Sequence, residues 1–390
     1  MLMKYIIAVI FISAFSFAQS PIPPGAKLEK ISKVNLKQPE GPLWKDGVGL
    51  LFSDIMANTI YQWSPVDSSI KPYLEPSDSS NGLTFDHEGR LVLTQMRLRR
   101  VARQESDGSI TPLASTFRGK KFNSPNDLVV KSDGSIFFTD PDFNVPYPYN
   151  RELPFKGIYR ISPSGSIQLL DSTFKLPNGI CFSPKEKKLY VNESDSCKIY
   201  VWNVINDSTI SDKKLFYQIP VKGYADGMKV DSAGNVYCTG PTGVWIISPE
   251  GEYLDKIAMS ETPSNCNWGD TDRKTLYITA GHSLYRIRIG EITGTRDQGY
   301  LQTGSFKLYA NYPNPFNPTT TIAFNLPKSQ NVKLKIFDIL GNEAETLLNN
   351  YLPAGRHSVI FNADELPSGV YFYELQAGNL IESKKMILLR

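Results

Sequence analysis

Glu40, Asn81, Asn126, Asn178, Asp226 and Asn265 hold the same place in six copies of one short phrase. The copies read Glu40-Gly41-Pro42-Leu43, Asn81-Gly82-Leu83-Thr84, Asn126-Asp127-Leu128-Val129, Asn178-Gly179-Ile180, Asp226-Gly227-Met228-Lys229 and Asn265-Cys266-Asn267-Trp268. Each places a hard oxygen donor at its head, a composition suited to calcium or a similar cation. Two carboxylates among amides carry a charge of −2, which matches one divalent ion. Asn-Gly and Asp-Gly are also turn dipeptides, so shaping the backbone is the plain alternative. Against it, the oxygen persists while the next residue changes from Gly to Asp to Cys, and Glu40 is a poor turn former.

The elements that would bring these oxygens together follow from the spacing. Successive copies are 41, 45, 52, 48 and 39 residues apart. Most lead through a polar turn, such as Asp86-His87-Glu88-Gly89 or Asp231-Ser232-Ala233-Gly234, into a short β-rich run. Such runs fall at 48–53, 90–94, 135–139, 188–191, 235–239 and 275–279, with further strands at 157–161, 198–203, 244–248 and 283–289. A period of roughly 40–50 residues built from strands and turns marks a β-propeller, one blade per repeat. The expected fold is therefore all-β, a six-bladed propeller over 19–290, in which equivalent positions become a ring. The alternating segment 28–36 could supply the outer strand of the last blade and close that ring. Between Asp140 and Gly157 an insertion carries Phe143, Tyr147, Tyr149 and Phe155 among prolines. It reads either as a lid over the channel or as a loop packed on its own blade.

At 390 residues the chain has room for two domains. Residues 291–305 read as a linker rich in Gly, Thr and Asp, and 306–390 as a small β-sandwich with strands at 320–326, 331–338, 357–362, 369–375 and 381–389. Lys and Arg exceed Asp and Glu by only 3, which gives no footprint for nucleic acid or an anionic membrane. The run Arg97-Leu98-Arg99-Arg100 reads as a solvated strand edge or a patch on the substrate side. Residues 1–18 read as a signal peptide: Lys4 leads, an apolar stretch follows, and Ser16-Phe17-Ala18 offers a cleavage site. That stretch is shorter than the ~20 apolar residues of a spanning helix, so no transmembrane segment is expected in the mature chain. Cys181, Cys197, Cys238 and Cys266 show no C-x-x-C spacing, and buried free thiols are expected rather than a zinc or dithiol site. His87 and His282 sit in turns, and the sequence has no G-x-S-x-G elbow and no phosphate-binding loop.

Further motifs carry a resemblance. Glu40-Gly41-Pro42, Ser124-Pro125-Asn126-Asp127, Thr139-Asp140-Pro141, Leu176-Pro177-Asn178-Gly179, Ala225-Asp226-Gly227 and Thr239-Gly240-Pro241-Thr242-Gly243 resemble the gluconolactonase/regucalcin family, in order and across the whole ring segment. The resemblance implies a six-bladed propeller with one divalent cation near the channel, calcium foremost and zinc, magnesium or manganese as alternatives. It places the metal ligands on Glu40, Asn178 and Asp226 and the substrate-side asparagine on Asn126. Gln95-Met96 and Ser124 depart from the pattern of many bacterial members, so the metal site is retained while the substrate pocket differs. In the tail, Asn311-Tyr312-Pro313-Asn314-Pro315-Phe316-Asn317-Pro318, Ile336-Phe337-Asp338, Ser368-Gly369-Val370-Tyr371 and Lys384-Lys385-Met386 resemble the type A C-terminal sorting domain of the type IX secretion system.

The resulting expectation is a metal-dependent hydrolase of a lactone or related ester, secreted or attached to the cell surface after export through the periplasm. The cation would act as a Lewis acid on the carbonyl oxygen. Asp226, both ligand and carboxylate, is the candidate base toward water, and Asn126 would orient the substrate. The partners implied are a small-molecule lactone or ester and the type IX machinery. The alternative is a non-catalytic surface propeller that binds a sugar or another ligand, and a purely structural propeller stands third.

Overall fold

The computed structural model describes residues 20–143, 151–206, 208–289, 306–309, 311, 314–352 and 355–389. The expected signal peptide and the 291–305 linker lie outside these residues.

Residues 29–288 form six four-stranded antiparallel sheets, each built from consecutive strands except the last. Their innermost strands are Pro39–Lys45, Ser80–Phe85, Leu128–Val130, Pro177–Phe182, Met228–Val230 and Pro263–Gly269. Each touches the next in cyclic order, and the last meets the first. Four of the phrase heads lie on these innermost strands, and Asn126 and Asp226 stand two residues before theirs. The second strands, Gly49–Asp54, Leu91–Gln95, Ile136–Asp140, Lys188–Glu193, Val236–Gly240 and Thr275–Ala280, are the apolar runs that follow each turn.

Those runs are apolar on both faces because each sheet is sandwiched between two neighbours. Leu43, Leu51 and Ile60 of the first sheet pack on Leu83, Leu91, Leu93 and Ala102 of the second. Tyr237, Val244 and Ile246 of the fifth meet Cys266, Leu276 and Ile278 of the sixth. Each fully buried large apolar side chain contributes about 1.5–3 kcal/mol, so the stacking of sheets holds the ring. All four cysteines are buried free thiols, as their apolar surroundings suggested.

The ring closes through its beginning. Glu29–Lys30 pairs with the last hairpin strand, Ser283–Arg288, in the register Glu29↔Arg286 and Lys30↔Tyr285. This strand is shorter than the 28–36 segment expected. Beyond it, the backbone of Ile31 donates to Leu284 O at 2.8 Å and Ser32 Oγ accepts from Leu284 N at 3.1 Å. Ile31 and Leu36 then bury against Leu284, Tyr277 and Trp63.

The described flanks of the 140–157 insertion pack on the second and third sheets. Leu153 and Phe155 join Phe117, Phe122 and Tyr159 in one cluster, and Asp142 pairs with Arg151 at 3.1 Å and with Lys156 at 2.9 Å.

The C-terminal unit has two sheets over one core. One orders Lys307–Leu308, Thr319–Leu326 and Gly355–Asn362; the other orders Glu343–Leu352, Gln330–Phe337, Gly369–Ala377 and Leu380–Leu388. Ile322, Phe324 and Phe361 of the first face Val332, Leu334, Ile336, Tyr373 and Leu375 of the second. The strand Glu343–Leu352 has no strong sequence signal, since it is rich in Leu, Glu and Asn and largely exposed. It exists because it pairs with Gln330–Phe337.

Candidate functional site

Four of the six phrases sit where strand pairing slips. The register shifts between Glu40 and Leu43, Ser80 and Leu83, Pro177 and Ile180, and Pro263 and Asn265. A bulge of this kind breaks the in-and-out alternation and re-aims a side chain. The glycines serve this packing rather than a tight turn. A Cβ on Gly41, at φ +50°, would lie 2.2 Å from Asn81 O, and one on Gly227 would lie 2.0 Å from the Asn265 side chain. Only a residue without a side chain lets adjacent innermost strands approach so closely.

A second ring, which the sequence reading passed over, holds the first. Near the end of each second strand stands a hydroxyl or amide residue at one equivalent place: Ser53, Thr94, Thr139, Asn192, Thr239 and Thr279. Ser53 Oγ donates to Asn81 O at 2.8 Å, Thr94 Oγ1 to Asn126 O at 2.7 Å and Thr139 Oγ1 to Asn178 O at 2.8 Å. Thr239 Oγ1 reaches Ser264 O at 2.9 Å, Asn192 Nδ2 reaches Asp226 O, and Ser264 Oγ returns to Pro39 O at 2.7 Å. Each sheet thus fixes the phrase of the next. The signal was present, since these residues follow the phrase heads at a constant spacing of 13 or 14.

Glu40 and Asp226 come together inside the ring. Glu40 is buried; its Oε2 accepts from Gly41 N at 3.1 Å and from Asn265 Nδ2 at 3.2 Å. Burial pushes its carboxyl up to about 7, Asp127 adds to the rise, and the hydrogen bonds oppose it. Asp226 is raised well above the usual carboxylate range, by burial first and by Glu40 second, while a hydrogen bond from Asn178 works the other way. The remaining amide atom of Asn178, Oδ1, is buried without a hydrogen-bond partner. Asn126 is buried on the third sheet with its backbone fixed by Thr94 and Gly82, and its side chain makes no bond to either carboxylate among the described residues. So Asp226 is where Glu40 and Asn178 meet, while Asn126 occupies the third place in the same ring.

This donor set fits a hard divalent ion. The buried Glu40 and the half-buried Asp226 disfavour one another's charge, and a buried amide oxygen lacks a donor; a cation answers both. Among the described residues no three or more His, Cys, Asp or Glu side chains converge as a metal-holding group, so the set depends on amides as much as on carboxylates.

Further residues join the site. Asp127 is buried, accepts from Leu128 N at 2.9 Å, and lies 3.9 Å from Lys229 Nζ. Both stand inside the repeated phrases, one and three positions past the heads, where only the head was read as functional. Asp140 accepts from Asn123 N at 2.8 Å and Ser124 N at 2.7 Å, which fixes the segment leading to Asn126. His87 and His282 bond backbone oxygens of Lys131 and Leu36, each at 2.9 Å, in keeping with their places in turns.

Comparison with known proteins finds two matches along the chain. Residues 38–282 match the SMP-30/Gluconolactonase/LRE-like region, and residues 310–389 match a secretion system C-terminal sorting domain. A gluconolactonase of Zymomonas mobilis is 32% identical over 283 residues, 64% of this chain and 78% of its own. A solved gluconolactonase of Xanthomonas campestris superposes with a TM-score of 0.63 at 32% identity, over 68% of this chain and 90% of that one. A calcium-binding regucalcin of Agrobacterium tumefaciens shares the fold at 14% identity and a TM-score of 0.58, over 68% and 94% of the two chains. Among the described residues no helix is long and apolar enough to cross a membrane.

Proposed function

Because this chain belongs to the SMP-30/gluconolactonase/LRE-like family over residues 38–282, we propose that it hydrolyses a lactone or related ester within the ring, and that it does so after export. The observation that supports this reading is the convergence of the buried Glu40 and the half-buried Asp226, with the unpartnered Oδ1 of Asn178 beside them. Lactone hydrolysis is the activity named for the Zymomonas and Xanthomonas relatives. The C-terminal sorting domain supports secretion or surface attachment through the type IX system.

Glu40, Asn178 and Asp226 would hold one divalent cation, with calcium the first candidate. When bound, such an ion supplies Lewis acidity toward the carbonyl oxygen and charge that offsets the developing oxyanion. The chain supplies the rest. Asn126, its backbone clamped by Thr94 and Gly82, orients the substrate. Asp226 takes a proton from the attacking water as the water oxygen bonds to the carbonyl carbon. The ring C–O bond then breaks, and the proton passes to the departing alkoxide, leaving a hydroxy acid. Asn265 keeps Glu40 aimed, and the Gly41 amide holds the same oxygen.

The test uses the full chain, with and without chelator, against a panel of sugar and aliphatic lactones, with metal content measured in parallel. Glu40→Gln should lose cation and rate together. Hydrolysis of no lactone by the metal-loaded chain would overturn the catalytic reading in favour of a binding propeller.

A further inference from the structure

Inside the ring, one ammonium, that of Lys229, bears on two buried carboxylates, Glu40 and Asp127, and the half-buried Asp226 bears on the same group. Glu40 and Asp226 belong to the proposed cation site, whereas Asp127 and Lys229 have no part in it. Asp127 precedes the innermost strand of the third sheet, and Lys229 lies on that of the fifth. Lys229 Nζ stands 3.9 Å from Asp127 Oδ2, so the pair passes over the intervening fourth sheet, whose Ile180 N also points at Asp127 Oδ2, at 3.5 Å. Lys229 Nζ donates in addition to Met228 O at 3.0 Å. The Asp127 side chain is 2% exposed and that of Lys229 20%, too sheltered for solvent to screen them as it does a surface pair.

The charges are unequal to structural need alone. A buried ion pair is seldom favourable over apolar packing, so its presence at this depth calls for a reason. With every group ionised, as a bound cation would favour, Glu40, Asp127, Asp226 and Lys229 sum to −2, the charge of a site matched to one divalent ion. Without the ammonium the interior would carry −3, and without Asp127 it would carry −1. Both partners act on the site: Asp127 bears on Glu40 and Asp226, and Lys229 bears on Glu40.

We infer that Asp127 and Lys229 form an internal counter-ion pair that sets the charge, and so the cation affinity, of the Glu40–Asn178–Asp226 site. Neither is a ligand or a catalytic residue; they position charge. The inference rests on the cation reading above, and its test separates the two.

The experiment is calcium titration of the metal-free full chain by calorimetry, for wild type, Lys229→Met, Asp127→Asn and the double variant. Lys229→Met should bind calcium at least tenfold more tightly and Asp127→Asn at least tenfold more weakly. The double variant should return to within about threefold of wild type, because the two charges leave together. A pair that served only packing would weaken binding in both single variants. Where a single variant folds poorly, thermal unfolding at millimolar calcium gives the second readout. Calcium should then raise the midpoint of Lys229→Met by more than that of wild type, and the double variant should match wild type.

Weaker or unchanged binding by Lys229→Met, or failure of the double variant to cancel, overturns the counter-ion role while leaving the functional reading in place. Calcium uptake by Lys229→Met but not by wild type overturns the functional reading and sustains the counter-ion role. No uptake by either overturns both.

Discussion

Asn265 Nδ2 donates to Glu40 Oε2 at 3.2 Å, so the last phrase of the ring aims the carboxylate of the first. The two residues are 225 positions apart, and only closure of the ring makes them neighbours. A donor that orients a carboxylate toward an ion should tune affinity without being a ligand. Asn265→Ala should weaken calcium binding about ten- to a hundredfold, the equivalent of one hydrogen bond to a charged group. Isothermal titration calorimetry checks this, and unchanged affinity would mean that Glu40 is held by the Gly41 amide alone.

The division of labour between Asp226 and Asn126 is open to a paired measurement. Asp226→Asn should lower the lactonase rate further than its loss of metal explains, because the proposed base goes with the ligand. Asn126→Ala should keep metal content near that of wild type and still slow turnover. Elemental analysis beside rates on one lactone separates the cases. A metal-loaded Asp226→Asn chain with the wild-type rate would exclude Asp226 as the base.

Thr139 tests the second ring. Its hydroxyl donates to Asn178 O and also lies 3.2 Å from Asp127 N. Thr139→Val keeps the volume but strands a buried carbonyl, and should destabilise the ring by about 1–3 kcal/mol. Thr139→Ser should recover most of that. Urea unfolding reports both, and equal stability of Val and Ser variants would dismiss the stitching role.

Asp140 should make stability depend on pH. Burial pushes its carboxyl up to about 7 against the hydrogen bonds from Asn123 and Ser124. A group raised in the folded state binds its proton more tightly there than when unfolded. Its contribution is therefore full below about pH 4 and is lost as pH rises through about 7. Between pH 5 and pH 8 it should remove about 3 kcal/mol. Asp140→Asn should flatten the pH slope by that amount, whatever its effect at any single pH. Parallel slopes in the two proteins would show that Asp140 titrates as an ordinary carboxylate.

The tail is a transport address in this reading, so its removal should act on location alone. A chain lacking 306–390 should fold, hydrolyse lactone and remain in the periplasm. Efficient appearance of the truncated protein in the medium would contradict the sorting role, and immunoblots of cell fractions decide it.

Much of the molecule was legible in the chain because propellers write their geometry locally. A strand, a turn and a second strand lie within a few residues of each other, so the phrase and its apolar run announce each sheet. The heads of the phrases, Glu40, Asn178 and Asp226 among them, could be recognised as one set because repetition puts equivalent residues at equivalent places. The same logic could have found Ser53, Thr94, Thr139, Asn192, Thr239 and Thr279, which keep a spacing of 13 or 14 from the heads. Polar residues at strand ends are common in any sheet, so this pattern stands out only when the phrases are aligned.

The interior charges could not be read this way, because their roles depend on what faces them across the ring. Asp127 and Lys229 look like variable positions after a head residue, yet folding buries them 3.9 Å apart. Glu343–Leu352 likewise lacks β-propensity and becomes a strand by pairing with its neighbour. The sequence by itself determined the repeats, the two domains and the oxygen-bearing heads, since each arises from short-range pattern. Only the tertiary structure decided which side chains share the buried interior, because electrostatic coupling and desolvation act through space, between residues that the chain holds far apart.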